Sequence, residues 1–279
     1  MDTDQAFQIS DWDTGSDLRG IRCAPPDAAA VVLVIHGFGE YAARHVKTMQ
    51  RWAGLKIATY AYDHRGHGHS PGKRAIVNRF DDLVDDALAM RDRAAAAQPG
   101  LPVFLFGISM GGVVATRSAQ RRSEGLRGVV LLAPAFAVAE NIPPLVQKLL
   151  RGVRKIAPNV ALAPLTFRSL SRDPAVGEAY KIDPLTYHGG VPVCSGTEIV
   201  AAGEAAIADA PSYVLPTLIL QGDADAIVFP IGATRFVEAA KSNRDLTLTM
   251  VPDGYHELFN DPDSEQLVES TAKWILARA

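Results

Sequence analysis

Cysteine is scarce in this sequence, basic charge is not in excess, and long apolar runs are missing. Two cysteines, Cys23 and Cys194, lie far apart in a chain of 279 residues. That excludes a disulfide-framed scaffold and leaves room for one long-range bridge at most. No stretch approaches the ~20 apolar residues a helix needs to cross a bilayer. The first residues, Met1-Asp2-Thr3-Asp4, are acidic and carry no charged, apolar and cleavable leader pattern, so a cytoplasmic location is expected. Formal charge is −3 and Lys/Arg form no stripe, so nucleic acid is not an expected partner.

Short β-rich runs alternate with longer helical patterns. Val31–His36, Lys56–Asp63, Val103–Gly107, Gly128–Ala133, Thr217–Gly222 and Leu246–Val251 read as buried strands, continuous apolar runs ended by Gly, Pro or Asp. Helices are expected over Asn78–Ala97, Gly111–Arg122, Ile231–Lys241 and Ser264–Arg278. Such alternation predicts an α/β fold with a mostly parallel central sheet flanked by helices. Phe7–Trp12 and Leu18–Cys23 suit an antiparallel hairpin at one sheet edge. Residues 136–211 break the rhythm with many prolines, short helical pieces and no clear strand. They read as a helical cap inserted over the ends where ligands bind, leaving 1–135 and 212–279 as the core.

Chemistry concentrates at Gly107-Ile108-Ser109-Met110-Gly111, between a strand and a helix pattern. The pentapeptide alone arises by chance in roughly one such chain in ten. Its flanks make it a candidate nucleophile elbow, with Ser109 pushed clear of the backbone and a helix N-terminus aimed at the reacting oxygen. A serine hydroxyl needs a base, and that base needs an orienting carboxylate. Asp225 follows one expected strand and His256 the next, which places both at the carboxyl edge shared with Ser109. Asp223 is the near rival for the acid and reads as a turn-former. Among the other histidines, His36 suits loop support. His64, His67 and His69 have no matching ligand cluster and suit bracing of their own loop, so no metal is expected. Oxyanion donors are expected from the backbone N–H groups of Met110 and Phe38.

Taken together, His36-Gly37-Phe38-Gly39-Glu40, Asp63-His64-Arg65-Gly66-His67-Gly68-His69-Ser70, the serine elbow, Gln221-Gly222-x-x-Asp225 and Tyr255-His256-Glu257 resemble the monoacylglycerol lipase and lysophospholipase group of α/β-hydrolases. Leu170-Ser171-Arg172-Asp173, Tyr180-x-x-Asp183-Pro184-Leu185 and Val193-Cys194-x-Gly196 extend the resemblance into the cap. It implies a Ser109–Asp225–His256 triad, a hole formed by Phe38 and Met110, and Glu40, Arg44 and Tyr180 near the glycerol group. Glu40 and Arg44 also suit a plain i,i+4 ion pair. Two departures stand out: Ile108 precedes the nucleophile where His or Glu is common, and Phe259 occupies a position that is polar in some relatives, bearing on headgroup selectivity.

The resemblance implies a serine hydrolase that cleaves fatty-acyl esters through an acyl-enzyme, monoacylglycerol first, without a cofactor. A broad carboxylesterase, a lysophospholipase, a peptidase relative and a ligand-binding receptor are the alternatives. Ile142, Leu145, Val146, Leu149, Leu150 and Val153 recur at helical spacing in the cap. This stripe can meet a lipid surface, making the protein peripheral at membranes, or pack down onto the core, and the inward arrangement is expected.

Overall fold

A computed structural model describes residues 7–164 and 169–279, so the acidic Met1–Asp4 segment lies outside the described residues. Ten strands are described: β1 Ser10–Trp12, β2 Gly20–Cys23, β3 Ala30–Ile35, β4 Ile57–Tyr62, β5 Val103–Ile108, β6 Leu126–Leu132, β7 Ala161–Pro164, β8 Gly190–Pro192, β9 Thr217–Gly222 and β10 Leu246–Val251. The helices are α1 Val46–Gly54, α2 Phe80–Ala97, α3 Met110–Arg121, α4 Pro144–Ile156, α5 Pro174–Ile182, α6 Val193–Ala208, α7 Ile231–Ala239 and α8 Ser264–Leu276.

Eight strands form one sheet in the order β1-β2-β4-β3-β5-β6-β9-β10. The hairpin β1–β2 closes one edge and pairs antiparallel with β4, while every pair from β4 to β10 is parallel. Strands β3, β4 and β5 are buried along their whole length, as strands covered on both faces must be. One apolar cluster packs α2, α3 and α7 on one face, and a second packs α1 and α8 on the other. From β3 the chain crosses first to β4 on one side and then back to β5 on the other. Connections leaving in opposite directions open a crevice at the carboxyl ends of these neighbouring strands.

All six expected core strands and four helices are present, with boundaries shifted by a residue or two. Helix α1 was not anticipated: its nine residues include only four buried ones, Thr48, Met49, Trp52 and Ala53. The stretch 136–211 differs more. It contains an antiparallel pair, β7–β8, matching Ala161 with Pro192 and Pro164 with Gly190. Strands this short, bearing Pro at their ends, read as breaker-rich loop in sequence. Helix α4 also departs from expectation, because none of its residues is buried. Its apolar stripe spans roughly 140° of the helix, too wide for one contact. Leu145 (78% exposed), Leu149 (65%) and Ile156 (89%) face outward, while Leu150 and the preceding Ile142 line a cavity beneath.

Helix α6 belongs to the interior. Ile199, Ala202 and Ala206 join the same apolar cluster as α2 and α3. Buried Ser195 donates to the Ala75 carbonyl at 2.7 Å and accepts from the Val77 N–H at 2.9 Å. Ser195→Ala would strand that buried N–H and should destabilise the protein by about 1–3 kcal/mol. Urea unfolding measures this, and an unchanged midpoint would show that the bond does not anchor α6.

Candidate active site

Ser109 sits between β5 and α3 with φ 54° and ψ −119°, a left-handed conformation that costs energy for any residue with a side chain. Its N–H donates to Leu132 at 2.9 Å and its carbonyl accepts from Ala135 at 3.0 Å, so the strained turn is held from β6 and its following loop. The flanking glycines are sterically required. A Cβ on Gly111 would lie 2.0 Å from the Ile35 carbonyl oxygen, and one on Gly107 would lie 2.4 Å from that of Gly111.

A second close approach unites the other loops. Gly222 ends β9 where a Cβ would fall 2.1 Å from the Gly254 carbonyl oxygen. The loop after β9 therefore lies against the loop after β10, and Asp225 Oδ2 meets His256 Nδ1 at 2.8 Å. Asp225 Oδ1 accepts from the Ile227 and Val228 N–H groups at 2.8 and 2.9 Å, and Gln221 Nε2 reaches Oδ2 at 3.2 Å. Asp223 is exposed instead. Burial opposes the charge on Asp225, but adjacent His256 and these donors outweigh it and hold the carboxyl below its usual range. For His256, burial favours the neutral ring, yet the Asp225 carboxylate and its hydrogen bond prevail and raise the pKa above 6.5. Ser109 and His256 open onto the same cavity of about 330 Å³.

Phe38 and Met110 also line this cavity. The Met110 N–H begins α3 and is one of the donors a helix leaves without an internal partner. Phe38 is fixed through the residue before it. Gly37 donates its N–H to Glu40 Oε1 at 2.6 Å, and the Gly37 carbonyl lies 2.7 Å from His36 Nδ1. His36 Nε2 accepts from the His64 N–H at 2.9 Å, which assigns the remaining ring proton to Nδ1. Burial lowers the His36 pKa to about 4, so the ring stays neutral. The peptide plane that carries the Phe38 N–H is thereby fixed through its own carbonyl.

Within their own loop, His67 Nδ1 lies 3.1 Å from the Arg65 carbonyl, the His69 backbone N–H reaches Asp63 Oδ2 at 2.8 Å, and the buried His64 ring packs against those of His36 and His67. Among the described residues, no group of three His, Cys, Asp or Glu side chains is placed to hold a metal ion. Cys23 and Cys194 are both buried free thiols.

At one end the cavity is polar, with Glu40, Tyr180 and Glu257 in its wall. Arg44 lies beside Glu40, Nε to Oε2 at 3.4 Å, and its Nη2 is 3.0 Å from each oxygen of Glu257. The same guanidinium stands 4.8 Å over the Tyr180 ring. Burial opposes the Glu40 charge, but His45 and Arg44 beside it hold the carboxyl far below its usual range. Ile108 lines the cavity. Phe259 does not: it stacks on Phe106 at 5.4 Å under the sheet, so it has no place beside a headgroup.

Three contributors escaped sequence reasoning although each stands in or beside a quoted motif. Glu257 holds Arg44. Asp63 ties two loops by accepting from Ala42 N–H and His69 N–H, both at 2.8 Å. Asp261 accepts from the Ser171 hydroxyl and the Arg172 N–H, joining the loop after His256 to the insertion. For Glu257 and Asp63 the signal is an acid next to a motif histidine, Asp261 carries no such signal, and the partners lie up to 213 positions away.

The sheet, its crossover and the strained serine turn define an α/β-hydrolase of the serine class. The chain belongs to the serine aminopeptidase family S33, whose model matches residues 26–263. It is 31% identical over 251 residues to a monoacylglycerol lipase of Mycolicibacterium smegmatis, covering 90% of this chain and 89% of that one. It is 35% identical over 233 residues to the monoglyceride lipase of Homo sapiens, covering 83% and 77% respectively. The crystal structure of Paleococcus ferrophilus monoacylglycerol lipase superposes with a TM-score of 0.83 at 30% identity, over 95% of this chain and all of that one. No helix among the described residues is long and apolar enough to cross a membrane.

We propose His256 as the general base; since only neutral imidazole can accept a proton, its raised pKa then sets where activity is lost in acid. The kcat/KM profile on any cleaved ester should fall as pH drops, with a midpoint above 6.5. Asp225→Asn should cut kcat by about 10⁴-fold and move that midpoint down. An unmoved midpoint would separate Asp225 from the titrating base.

Proposed function

We propose that this protein hydrolyses monoacylglycerol to glycerol and a free fatty acid through an acyl-enzyme on Ser109. The observation that carries this reading is the 2.8 Å Asp225–His256 pair opening, with Ser109, onto one mostly apolar cavity with a polar end. His256 takes the Ser109 proton as Oγ attacks the ester carbonyl. The Phe38 and Met110 N–H groups receive the developing oxyanion, and such donors are worth ~3–4 kcal/mol each. His256 then protonates the departing glycerol oxygen, and a water activated by the same ring releases the acid.

A cavity of about 330 Å³ sits near the lower bound for small-molecule sites and suits one acyl chain better than two. Glu40, backed by Arg44, forms the end where the glycerol hydroxyls bind, with the Tyr180 ring in its wall. Residues 136–211 act as the cap over this chamber, and the remainder forms the catalytic core. The outward face of α4, with Leu145, Leu149 and Ile156 beside Lys148 and Lys155, contacts the lipid surface that supplies substrate, which makes the protein peripheral at membranes.

A panel of mono-, di- and triacylglycerols, lysophosphatidylcholine, 4-nitrophenyl esters and an aminoacyl arylamide tests the reading. Monoacylglycerol should be cleaved fastest, and Ser109→Ala should abolish turnover of all esters while leaving thermal unfolding unchanged. Preference for lysophosphatidylcholine or the arylamide would replace the substrate assignment, and residual ester turnover by Ser109→Ala would remove the nucleophile assignment.

A further inference from the structure

Cap and oxyanion loop meet at a single carbonyl. Tyr180, on α5, donates its hydroxyl to the Gly39 carbonyl oxygen at 2.6 Å, and the Tyr187 N–H reaches the same oxygen at 2.7 Å. The fit is close: Gly39 has φ +78°, and a Cβ there would stand 2.8 Å from the Tyr180 hydroxyl. Two residues further along the same loop, Tyr41 donates its hydroxyl to Asp183 Oδ2 of the cap at 2.7 Å. Within the cap, Thr186 holds the Tyr180 carbonyl at 2.7 Å, so the segment 180–187 bears on the loop as one unit.

Phe38 lies between the two pinned points, the Gly37 N–H taken by Glu40 and the Gly39 carbonyl taken by the cap. A hydroxyl has one proton to give. That of Tyr180 goes to the loop backbone, while its ring lies under the Arg44 guanidinium.

We infer that Tyr180 is a positioning residue, through which the cap holds the oxyanion loop in the geometry that aims the Phe38 N–H at the reacting oxygen. The inference rests on the serine-esterase reading and goes beyond it. The cap is then part of the catalytic apparatus as well as a cover, and Tyr180 acts on every ester whatever its alcohol. Oxyanion donors placed slightly off their target lose most of their value, because their contribution depends on geometry set before the reaction.

Tyr180→Phe removes one oxygen and keeps the ring over Arg44. Tyr187 still satisfies the Gly39 carbonyl, so the fold should persist. Expected is a roughly tenfold lower kcat on both monoacylglycerol and a 4-nitrophenyl ester, with KM within twofold on each. Acylation and deacylation both pass through an oxyanion, so either limiting step reports the change. An alkyl boronic acid gives the second readout: Ser109 Oγ adds to boron, His256 takes the serine proton, nothing leaves, and an anionic tetrahedral centre forms. Its inhibition constant should rise by about the same factor. Gly39→Ala, which pushes the cap off from the opposite side, should give the same pattern.

A loss confined to glyceryl esters or appearing in KM would make Tyr180 a headgroup contact and overturn the inference. Unchanged kcat and boronate affinity would overturn it too. A wild-type chain inactive on every ester would instead sink the esterase reading beneath it.

Discussion

Two contacts of backbone against backbone hold the candidate site together, Gly111 against the end of β3 and Gly222 against the loop after β10. Both are nearer than any side chain allows, with a hypothetical Cβ at 2.0 and 2.1 Å from a carbonyl oxygen. The first seats α3 against the His36-Gly37 turn, which puts the Met110 and Phe38 N–H groups on one cavity. The second draws the Asp225 loop onto the His256 loop. A parallel sheet makes such contacts available because its carboxyl ends lie side by side, and the crossover around β3 leaves space above them. The arrangement of the candidate site is thus a consequence of how closely four loops approach. Larger residues at Gly111 or Gly222 would separate those loops before any functional side chain was altered.

Burial then fixes charge. Asp225, Glu40 and Glu257 are carboxylates with little exposure, and each is matched by more than one donor. Buried charge is tolerable only when its hydrogen-bonding capacity is filled. Here the filling also positions neighbouring groups: the donors that stabilise Asp225 leave Oδ2 toward His256, and the carboxyl that holds Gly37 fixes the residue before Phe38. Arg44 links the two loops by contacting both Glu40 and Glu257. The neutral imidazole of His36 belongs to the same logic, since a second ring proton would oppose the His64 N–H that its Nε2 accepts.

Much of this was legible in the sequence. Apolar runs such as Val31–His36 and Thr217–Gly222 fall within a residue or so of their strands because a strand buried on both faces must be continuously apolar. The glycines around Ser109 carry a steric signature that survives without coordinates. Asp225 and His256 follow from strand order alone, because loops after parallel strands emerge on one side. What escaped was long-range and polar. Arg44 has a visible neighbour in Glu40 at four residues' distance, and an invisible one in Glu257 at 213. The resemblance sets Phe259 at a position that bears on the headgroup, yet the short 3-10 turn Leu258–Asn260 carries it under the sheet onto Phe106. The β7–β8 pair was hidden by its prolines, and α4 misled because an apolar stripe does not say which of its edges is covered.

The insertion is not uniform, and the difference has a physical origin. Helix α6 brings small residues, Ala202, Gly203 and Ala206, against the core; a Cβ on Gly203 would lie 2.8 Å from the Ala135 carbonyl oxygen. Moving α6 would expose core surface at about 25 cal/mol per Å² and strand the Val77 N–H. Helix α4 has no buried residue to lose. Local opening is drawn from elements with few buried contacts, and of the two helices α4 has the least to lose and α6 the most. Segment 180–187 lies between these extremes, tied to the 37–41 loop by three hydrogen bonds of 2.6 to 2.7 Å. An opening at α4 would therefore leave the contacts between segment 180–187 and the 37–41 loop intact.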